Sequence, residues 1–179
     1  GNSLGYVKAV NKMTKHLVWE YKTEAGIFSR PAVSQNYVIA PTADKRLLWL
    51  DKQNGKLVKE HIADAPYVAD GIIVGDVLYQ GGGKTFEAWK TDGSKMLWKY
   101  TDLNNYCQAA PVVSGKEVFF GAWDTYLRCL NTKNGKLKWR WNNGKKANML
   151  GPGNCVPVVT EDKVIIVAPD RYMTAVDRK

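Results

Sequence analysis

One ten-residue phrase recurs along the chain at a nearly constant spacing. Its clearest copies are Leu130–Trp139, with the sequence LNTKNGKLKW, and Leu50–Lys59, with the sequence LDKQNGKLVK. A shorter copy begins at Trp89, and degraded copies begin at Val10 and Val176. Successive copies start 40, 39, 41 and 46 residues apart. A period close to 40 residues indicates an array of similar structural units.

A second marker follows the same period. The phrase closes on a tryptophan at Trp19, Trp98 and Trp139, and Lys59 occupies the corresponding position in the remaining full copy. Two independent markers that share one register make a coincidental repeat improbable. The repeat therefore defines the organisation of the whole chain.

Within each period the residues form short apolar runs separated by turns. In one unit these runs begin at Pro111 and at Val118, and a third run ends at Asn131. Asn134-Gly135 then precedes a fourth run, and Asn-Gly between apolar runs is a strong hairpin signal. Four short strands in 40 residues match the size of a β-propeller blade. A helical repeat is disfavoured because no segment sustains a 3.6-residue apolar period.

The repeat resembles that of the pyrroloquinoline-quinone (PQQ) propeller family, whose signature runs Ala-x-Asp-x-x-x-Gly-Lys-x-x-Trp. The best copy here is formed by Cys129, Asn131, Gly135, Lys136 and Trp139. The resemblance covers essentially the whole chain. It implies that the closing tryptophan of each blade docks near the repeat glycine of the neighbouring blade. The residues assigned to blade docking are Trp19, Trp98, Trp139, Gly55, Gly93 and Gly135.

The second blade lacks its closing tryptophan and has Lys59 instead. The resemblance therefore predicts a junction after this blade that is weaker than the others or packed differently.

The sequence predicts an all-β fold, a β-propeller of four-stranded antiparallel blades, with about four blades present. The chain opens and stops within a repeat unit, so we expect part of a seven- or eight-bladed ring, in a longer chain or completed by a second chain as a dimer. Residues 1–179 form one propeller region. The blade motifs lie near 6–21, 31–60, 70–100, 109–141 and 156–179.

The net charge of +9 comes from 26 basic and 17 acidic residues that are spread along the chain. This distribution favours a solvated surface over a nucleic-acid site. No apolar run is long enough for a transmembrane segment. One basic stripe follows the predicted outermost strand, where charge discourages edge-to-edge pairing. It consists of Lys133, Lys136, Lys138, Arg140, Lys145 and Lys146.

The cysteines and histidines lack the clustered spacing of a zinc site, since no CxxC occurs and His16 and His61 lie far apart. Cys107 and Cys155 are predicted in comparable strands of adjacent blades. A disulfide between them is conceivable in an oxidising compartment. Their offsets from the following proline differ, so free buried thiols are favoured, and the redox state stays open.

Gly81–Thr85, with the sequence GGGKT, superficially resembles a phosphate-binding loop. Such a loop needs a glycine where Leu78 stands and must open a helix. The following residues, Phe86–Trp89, match the third strand of a blade instead. The glycines are therefore predicted to form a hairpin turn.

The resemblance also raises the question of whether the chain binds PQQ, the cofactor after which the family is named. Quinoprotein dehydrogenases hold PQQ between a tryptophan floor and two adjacent disulfide-bonded cysteines, with Ca²⁺ alongside. This sequence has no adjacent cysteine pair, so we predict no cofactor and no metal site. Trp49 and Trp123 are expected to pack in the core rather than to line the axis.

Two longer connections between blades are the predicted partner-binding loops, because binding residues concentrate in loops on a rigid scaffold. They are residues 101–108 and 142–154, at the same point of consecutive blades. The candidate binding residues are Asn104, Asn105, Tyr106 and Asn148.

These observations favour a non-catalytic binding or scaffolding module with a protein or peptide partner. The alternatives are part of a quinoprotein dehydrogenase, or an accessory propeller of a larger hydrolase such as a phosphoesterase; enzymatic activity elsewhere in a longer chain stays open. The resemblance implies a bacterial, extracytoplasmic location: periplasmic, secreted or associated with the outer membrane.

Overall fold

The computed structural model describes residues 1–144 and 151–179, and the described residues form seventeen β-strands. In chain order the strands are β1 (Tyr6–Val10), β2 (Leu17–Lys22), β3 (Ala32–Val33), β4 (Tyr37–Pro41), β5 (Arg46–Asp51), β6 (Leu57–Ile62), β7 (Ile72–Val74), β8 (Val77–Gly81), β9 (Phe86–Lys90), β10 (Met96–Tyr100), β11 (Val112–Ser114), β12 (Glu117–Gly121), β13 (Tyr126–Asn131), β14 (Leu137–Asn142), β15 (Val158–Val159), β16 (Lys163–Val167) and β17 (Met173–Asp177).

The strands form five antiparallel sheets, each of which is one blade or part of one. The second, third and fourth blades have four strands each, in the orders β3 to β6, β7 to β10 and β11 to β14. The first blade contains β1 and β2, and the fifth contains β15 to β17. Every neighbour within a sheet is also the neighbour in sequence, as in propeller blades. The predicted all-β propeller fold is confirmed.

The blades stand side by side with their first strands on the inside, where β3 contacts β7 and β11 contacts β15. One end of the blades, here called the turn face, carries the turns after the first and third strands. These turns are joined by hydrogen bonds such as Lys52 N–H to the Asn36 carbonyl and Thr132 N–H to the Lys116 carbonyl. The opposite end, the loop face, carries the middle hairpins and the loops between blades.

The core lies between the blades. Four apolar clusters each join one blade to the next, and the second-to-third junction, for example, buries Ile39, Leu47 and Trp49 against Leu78 and Trp89. Because both faces of an inner sheet are covered, its middle strands are apolar at nearly every position, as β5 and β12 show. Removal of this apolar surface from water stabilises the stack of blades.

Tryptophans join the blades at the turn face. The Trp19 ring lies on Gly55, and its indole N–H donates to the Lys52 carbonyl at 2.9 Å. A Cβ at Gly55, whose φ is +73°, would lie 2.5 Å from the Trp19 ring, so only glycine fits. Trp98 makes the same contact with Gly135 of the fourth blade.

Trp139 makes the equivalent hydrogen bond to the fifth blade, because its indole N–H donates at 2.8 Å to the carbonyl of Arg178, the residue after the third strand. The Arg178 guanidinium in turn binds the Glu117 carboxylate at 2.8 Å. This junction therefore combines a tryptophan contact with an ion pair between blades.

The junction after the second blade uses a tryptophan from another strand. Trp49 of β5 is the cross-strand partner of Lys59 in β6. Its ring lies on Gly93 of the third blade, and its indole N–H donates to the Thr91 carbonyl at 3.2 Å. In the first blade the tryptophan of the equivalent pair, Ala9 and Trp19, is on the strand that follows the repeat turn. In the second blade the tryptophan is on the strand that precedes this turn. The junction is packed differently from its neighbours.

Candidate partner-binding cleft

A cleft of about 530 Å³ opens on the loop face between the second, third and fourth blades. Its walls come from the loops that precede β3, β7 and β11 and from the hairpin between β8 and β9. The residues that line it are Phe28, Ala65, Pro66, Val68, Gly83, Lys84, Asn105, Tyr106 and Gln108.

Exposed aromatic rings stand at opposite sides of the cleft. Phe28 is 65% exposed and Tyr106 is 44% exposed, while Pro66 and Val68 lie between them. Lys84 is the charged residue of the lining, and it has no ion pair within residues 1–144 and 151–179. Apolar walls with a few polar groups are typical of a binding site rather than of a surface without a ligand.

The wall formed by residues 63–70 is fixed from below by buried polar groups. The Tyr67 hydroxyl donates to Glu87 at 2.8 Å, and the Gln80 amide donates to the Ala69 carbonyl at 2.8 Å. The Glu87 carboxylate also accepts the Trp89 indole N–H at 3.0 Å. Burial and the neighbouring carboxylate of Glu87 raise the pKa of Tyr67, which therefore acts as a hydrogen-bond donor at every physiological pH.

The opposite wall, residues 101–108, rests on a buried ion pair. Arg128 and Asp124 are joined at 2.6 Å and are almost fully buried. Arg128 also donates to the Asp102 carbonyl at 3.1 Å, and Asp124 accepts the Asn104 backbone N–H at 3.1 Å. The pair thus holds both the entry and the middle of the loop, so the cleft is preformed on this side.

The glycine run Gly81–Gly83 allows these walls to approach each other. Strand β8 ends at Gly81 and β9 begins at Phe86, so the run and Lys84-Thr85 form a hairpin between strands. A Cβ at Gly83 would lie 2.1 Å from the Ala65 Cβ. A Cβ at Gly81 would lie 2.8 Å from the Cys107 Cβ. The glycines therefore permit close packing, and no helix follows them.

The structure places two of the predicted loop residues, Asn105 and Tyr106, in the cleft wall. Asn104 lies beneath them on Asp124. Gln108 and Ala109 both donate their backbone N–H groups to the Gly153 carbonyl at 3.1 Å, which joins the two predicted loops. Asn148, Lys145 and Lys146 lie outside the described residues.

The two tryptophans considered as a cofactor floor have other contacts. Trp49 is fully buried between the second and third blades. The Trp123 indole N–H donates to the Gln108 side chain at 3.0 Å, and its ring packs on Gly153. No group of three potential metal-binding side chains occurs in the described part of the chain. The prediction that the chain binds no PQQ stays a prediction.

The cysteine placement predicted from sequence is wrong in one respect. Cys107 and Cys155 lie in the loops that precede β11 and β15, not in the strands. The strands begin only after Pro111 and Pro157, because proline has no N–H for the ladder. All three cysteines are free thiols and buried.

Burial raises the pKa of Cys107 and of Cys129 to about 12. We expect both thiols to react with Ellman's reagent only when the protein unfolds, because the nucleophile is the thiolate. The release of thionitrobenzoate, with and without denaturant, measures this. A rapid stoichiometric reaction of either thiol in the native protein would contradict the structure.

Two residues of the basic stripe carry ion pairs on the outer strand β14. Lys138 pairs with Glu117, and Arg140 pairs with Asp102 at 3.2 Å. Arg140–Asp102 is an exposed pair of the kind that contributes little to stability, about 0–1 kcal/mol, whereas Glu117 is buried.

Sequence reasoning missed six of the nine residues that line the cleft, namely Phe28, Ala65, Pro66, Val68, Gly83 and Lys84. A signal was available, since the loops before β3, β7 and β11 carry the aromatic residues Phe28, Tyr67 and Tyr106 at intervals of 39 residues. The interval matches the repeat period. Only the structure shows that Phe28 and Tyr106 are exposed, whereas Tyr67 is buried on Glu87.

These features define a β-propeller of PQQ-like repeats with a preformed cleft on its loop face. The profile of one family, described as outer membrane protein assembly factor BamB, matches residues 4–69 and 61–179. The chain belongs to this family. Outer membrane protein assembly factor BamB of Salmonella typhimurium is 25% identical to it over 190 residues, which cover 99% of this chain and 47% of that protein. The chain thus spans about half the length of this curated relative.

Solved structures share the fold. The crystal structure of BamB from Moraxella catarrhalis has a TM-score of 0.78 at 18% identity, over 99% of this chain and 53% of that one. Quinohemoprotein alcohol dehydrogenase from Comamonas testosteroni has a TM-score of 0.80 at 11% identity, over 98% and 39%. At such identities the likeness concerns the fold alone. Among the described residues no helix is long and apolar enough to cross a membrane.

Proposed function

We propose that the chain is a non-catalytic binding module that holds a protein partner during outer membrane protein assembly. One observation carries the proposal: the loop-face cleft is apolar, open and fixed from below by the Glu87 and Arg128–Asp124 networks. A preformed apolar site with exposed aromatic rings suits a protein segment, since aromatic anchors dominate such interfaces. Membership of the BamB family supports the assembly role.

The occupant that fits best is a peptide segment with an apolar or aromatic anchor and a nearby carboxylate. The anchor would lie between Phe28 and Tyr106, and the carboxylate would pair with Lys84 at the rim. Such a partner would place this module in the periplasm or at the outer membrane.

The enzyme alternatives have less support. The fold is shared with a quinohemoprotein dehydrogenase, but fold likeness alone does not carry activity. The cleft lining contains neither a histidine nor a carboxylate that could serve as a general base.

We expect the double substitution Phe28→Ala/Tyr106→Ala to weaken partner binding about tenfold or more, because truncation of an aromatic anchor typically costs about 2 kcal/mol. In the source bacterium lacking the native gene, the full-length protein with this change should fail to restore outer membrane protein levels. Immunoblots of membrane fractions, with protein abundance checked in parallel, measure this.

Tyr172→Ala provides the matched control, since Tyr172 is 64% exposed but does not line the cleft. It should restore those levels fully. Full restoration by the cleft variant at normal abundance would refute the proposal.

A further inference from the structure

The turn face presents lysines at one equivalent position in three consecutive blades. The carbonyl groups of Lys56, Lys95 and Lys136 accept the backbone N–H groups of Asp51, Lys90 and Asn131, at 2.8–2.9 Å. These shared hydrogen bonds show that the three turns have the same structure. All three lysine side chains are exposed. They therefore emerge from the same end of adjacent blades.

More lysines surround this row. Lys12, Lys52 and Lys133 lie in the turns after the third strands, and Lys116 lies in a turn after a first strand. All four are exposed. None of these turn-face lysines forms an ion pair with any described residue.

Three acidic side chains near these turns offset part of the lysine charge. Asp76 pairs with Lys90. The carboxylates of Asp51 and Asp92 accept backbone N–H groups of their own turns at 2.8 Å, and both keep their negative charge. The seven turn-face lysines outnumber these three carboxylates, so this end of the first four blades carries a net positive charge.

The arrangement of the lysines on the turn face indicates which kind of partner it could bind. The lysine turns have equivalent hydrogen bonds and belong to blades that stand side by side, so the lysines form an array across several blades rather than a line along a groove. A planar anionic surface contacts all of them at once, whereas a single extended polymer would follow only some. Met13, in the turn beside Lys12, is 79% exposed and adds an apolar side chain suited to the interfacial region of a bilayer.

We propose that the turn face lies against an anionic membrane surface and binds phosphate-bearing lipid headgroups through its lysines. The attraction arises from the negative surface potential of the bilayer and decays within a Debye length, so only this face takes part. The turn face can bind a membrane whatever occupies the cleft, because the cleft and the lysines are at opposite ends of the blades.

Lys56 and Lys136 follow glycine in the repeat signature, so their presence alone is expected of such repeats. Lys52, Lys116 and Lys133 are not signature residues, and they provide the sharper test. If these lysines served only to keep the protein soluble, they could lie on any face of it. A membrane-binding role requires them on this one.

The test compares two triple variants with equal net charge. Lys52→Gln/Lys116→Gln/Lys133→Gln removes three charges from the turn face. Lys22→Gln/Lys45→Gln/Arg171→Gln removes three exposed charges from the loop face. Co-sedimentation measures partitioning of the purified proteins onto vesicles of phosphatidylcholine, with or without phosphatidylglycerol.

We expect the unmodified protein to sediment with the anionic vesicles at low salt and to be released by added salt. The turn-face variant should partition at least tenfold less, since each lysine near the surface contributes about fivefold. The control should partition nearly as well as the unmodified protein. Absence of binding to anionic vesicles, equal binding to neutral ones, or equal loss in both variants would overturn the proposal.

Discussion

Replacement of Trp49 by alanine is expected to lower the free energy of unfolding by about 3–5 kcal/mol, the usual range for a fully buried tryptophan. Trp49 is 0% exposed and joins the second blade to the third through Gly93 and the Thr91 carbonyl. The stability is lost for three reasons: less apolar surface is buried, a cavity forms at the blade junction, and the Thr91 carbonyl loses its hydrogen-bond donor. Chemical denaturation followed by tryptophan fluorescence and circular dichroism measures it.

The cross-strand partner provides the control. Lys59 occupies the repeat position of the docking tryptophan but is exposed, so Lys59→Ala should change stability by no more than about 0.5 kcal/mol. The double variant Trp49→Ala/Lys59→Trp recreates the arrangement of Ala9 and Trp19, and we expect it to recover part of the loss. If Trp49→Ala costs no more than Lys59→Ala, Trp49 does not join the blades.

The second large effect is expected at the ion pair beneath the cleft. Asp124→Ala should destabilise the protein by about 3–5 kcal/mol, because it leaves the Arg128 guanidinium buried without its carboxylate. It also removes the acceptor of the Asn104 N–H, so the loop of residues 101–108 should open more often. Denaturation gives the first quantity, and amide hydrogen exchange at Asn104 and Tyr106 gives the second.

The paired variant Asp124→Leu/Arg128→Leu separates charge from packing. It removes both charges, so it should cost less than Asp124→Ala alone while still freeing the loop. Faster exchange in the loop together with near-native stability would show that the pair positions the cleft wall. Unchanged exchange in both variants would contradict that role.

The repeat phrase was sufficient to predict the blades, because each element of it has a local cause. Asn134-Gly135 specifies a tight turn, and short apolar runs between turns specify strands. Pro111 marks the start of an inner strand. A regular period also implies that every unit buries the same faces against its neighbours. The fold therefore followed from local signals that the chain repeats.

The packing between the second and third blades needed the structure. The sequence showed Lys59 in the position of a tryptophan, and the structure shows that Trp49, directly across the sheet, supplies the missing ring. The pairing of residues ten apart depends on strand register. A search for tryptophan at one repeat position could not reveal an exchange between strands.

The candidate site divides in the same way. The sequence alone determined the propeller, its blade length and the loop that contains Asn105 and Tyr106, since these depend on short-range turn and strand signals. Only the tertiary structure decided that Phe28, from the loop that precedes β3, faces this loop across a cleft. It also decided that Tyr67, at the same 39-residue interval, is buried instead. The physical reason is that exposure depends on Glu87 and Gly83, which lie in other strands and turns and meet these loops only when the blades stack.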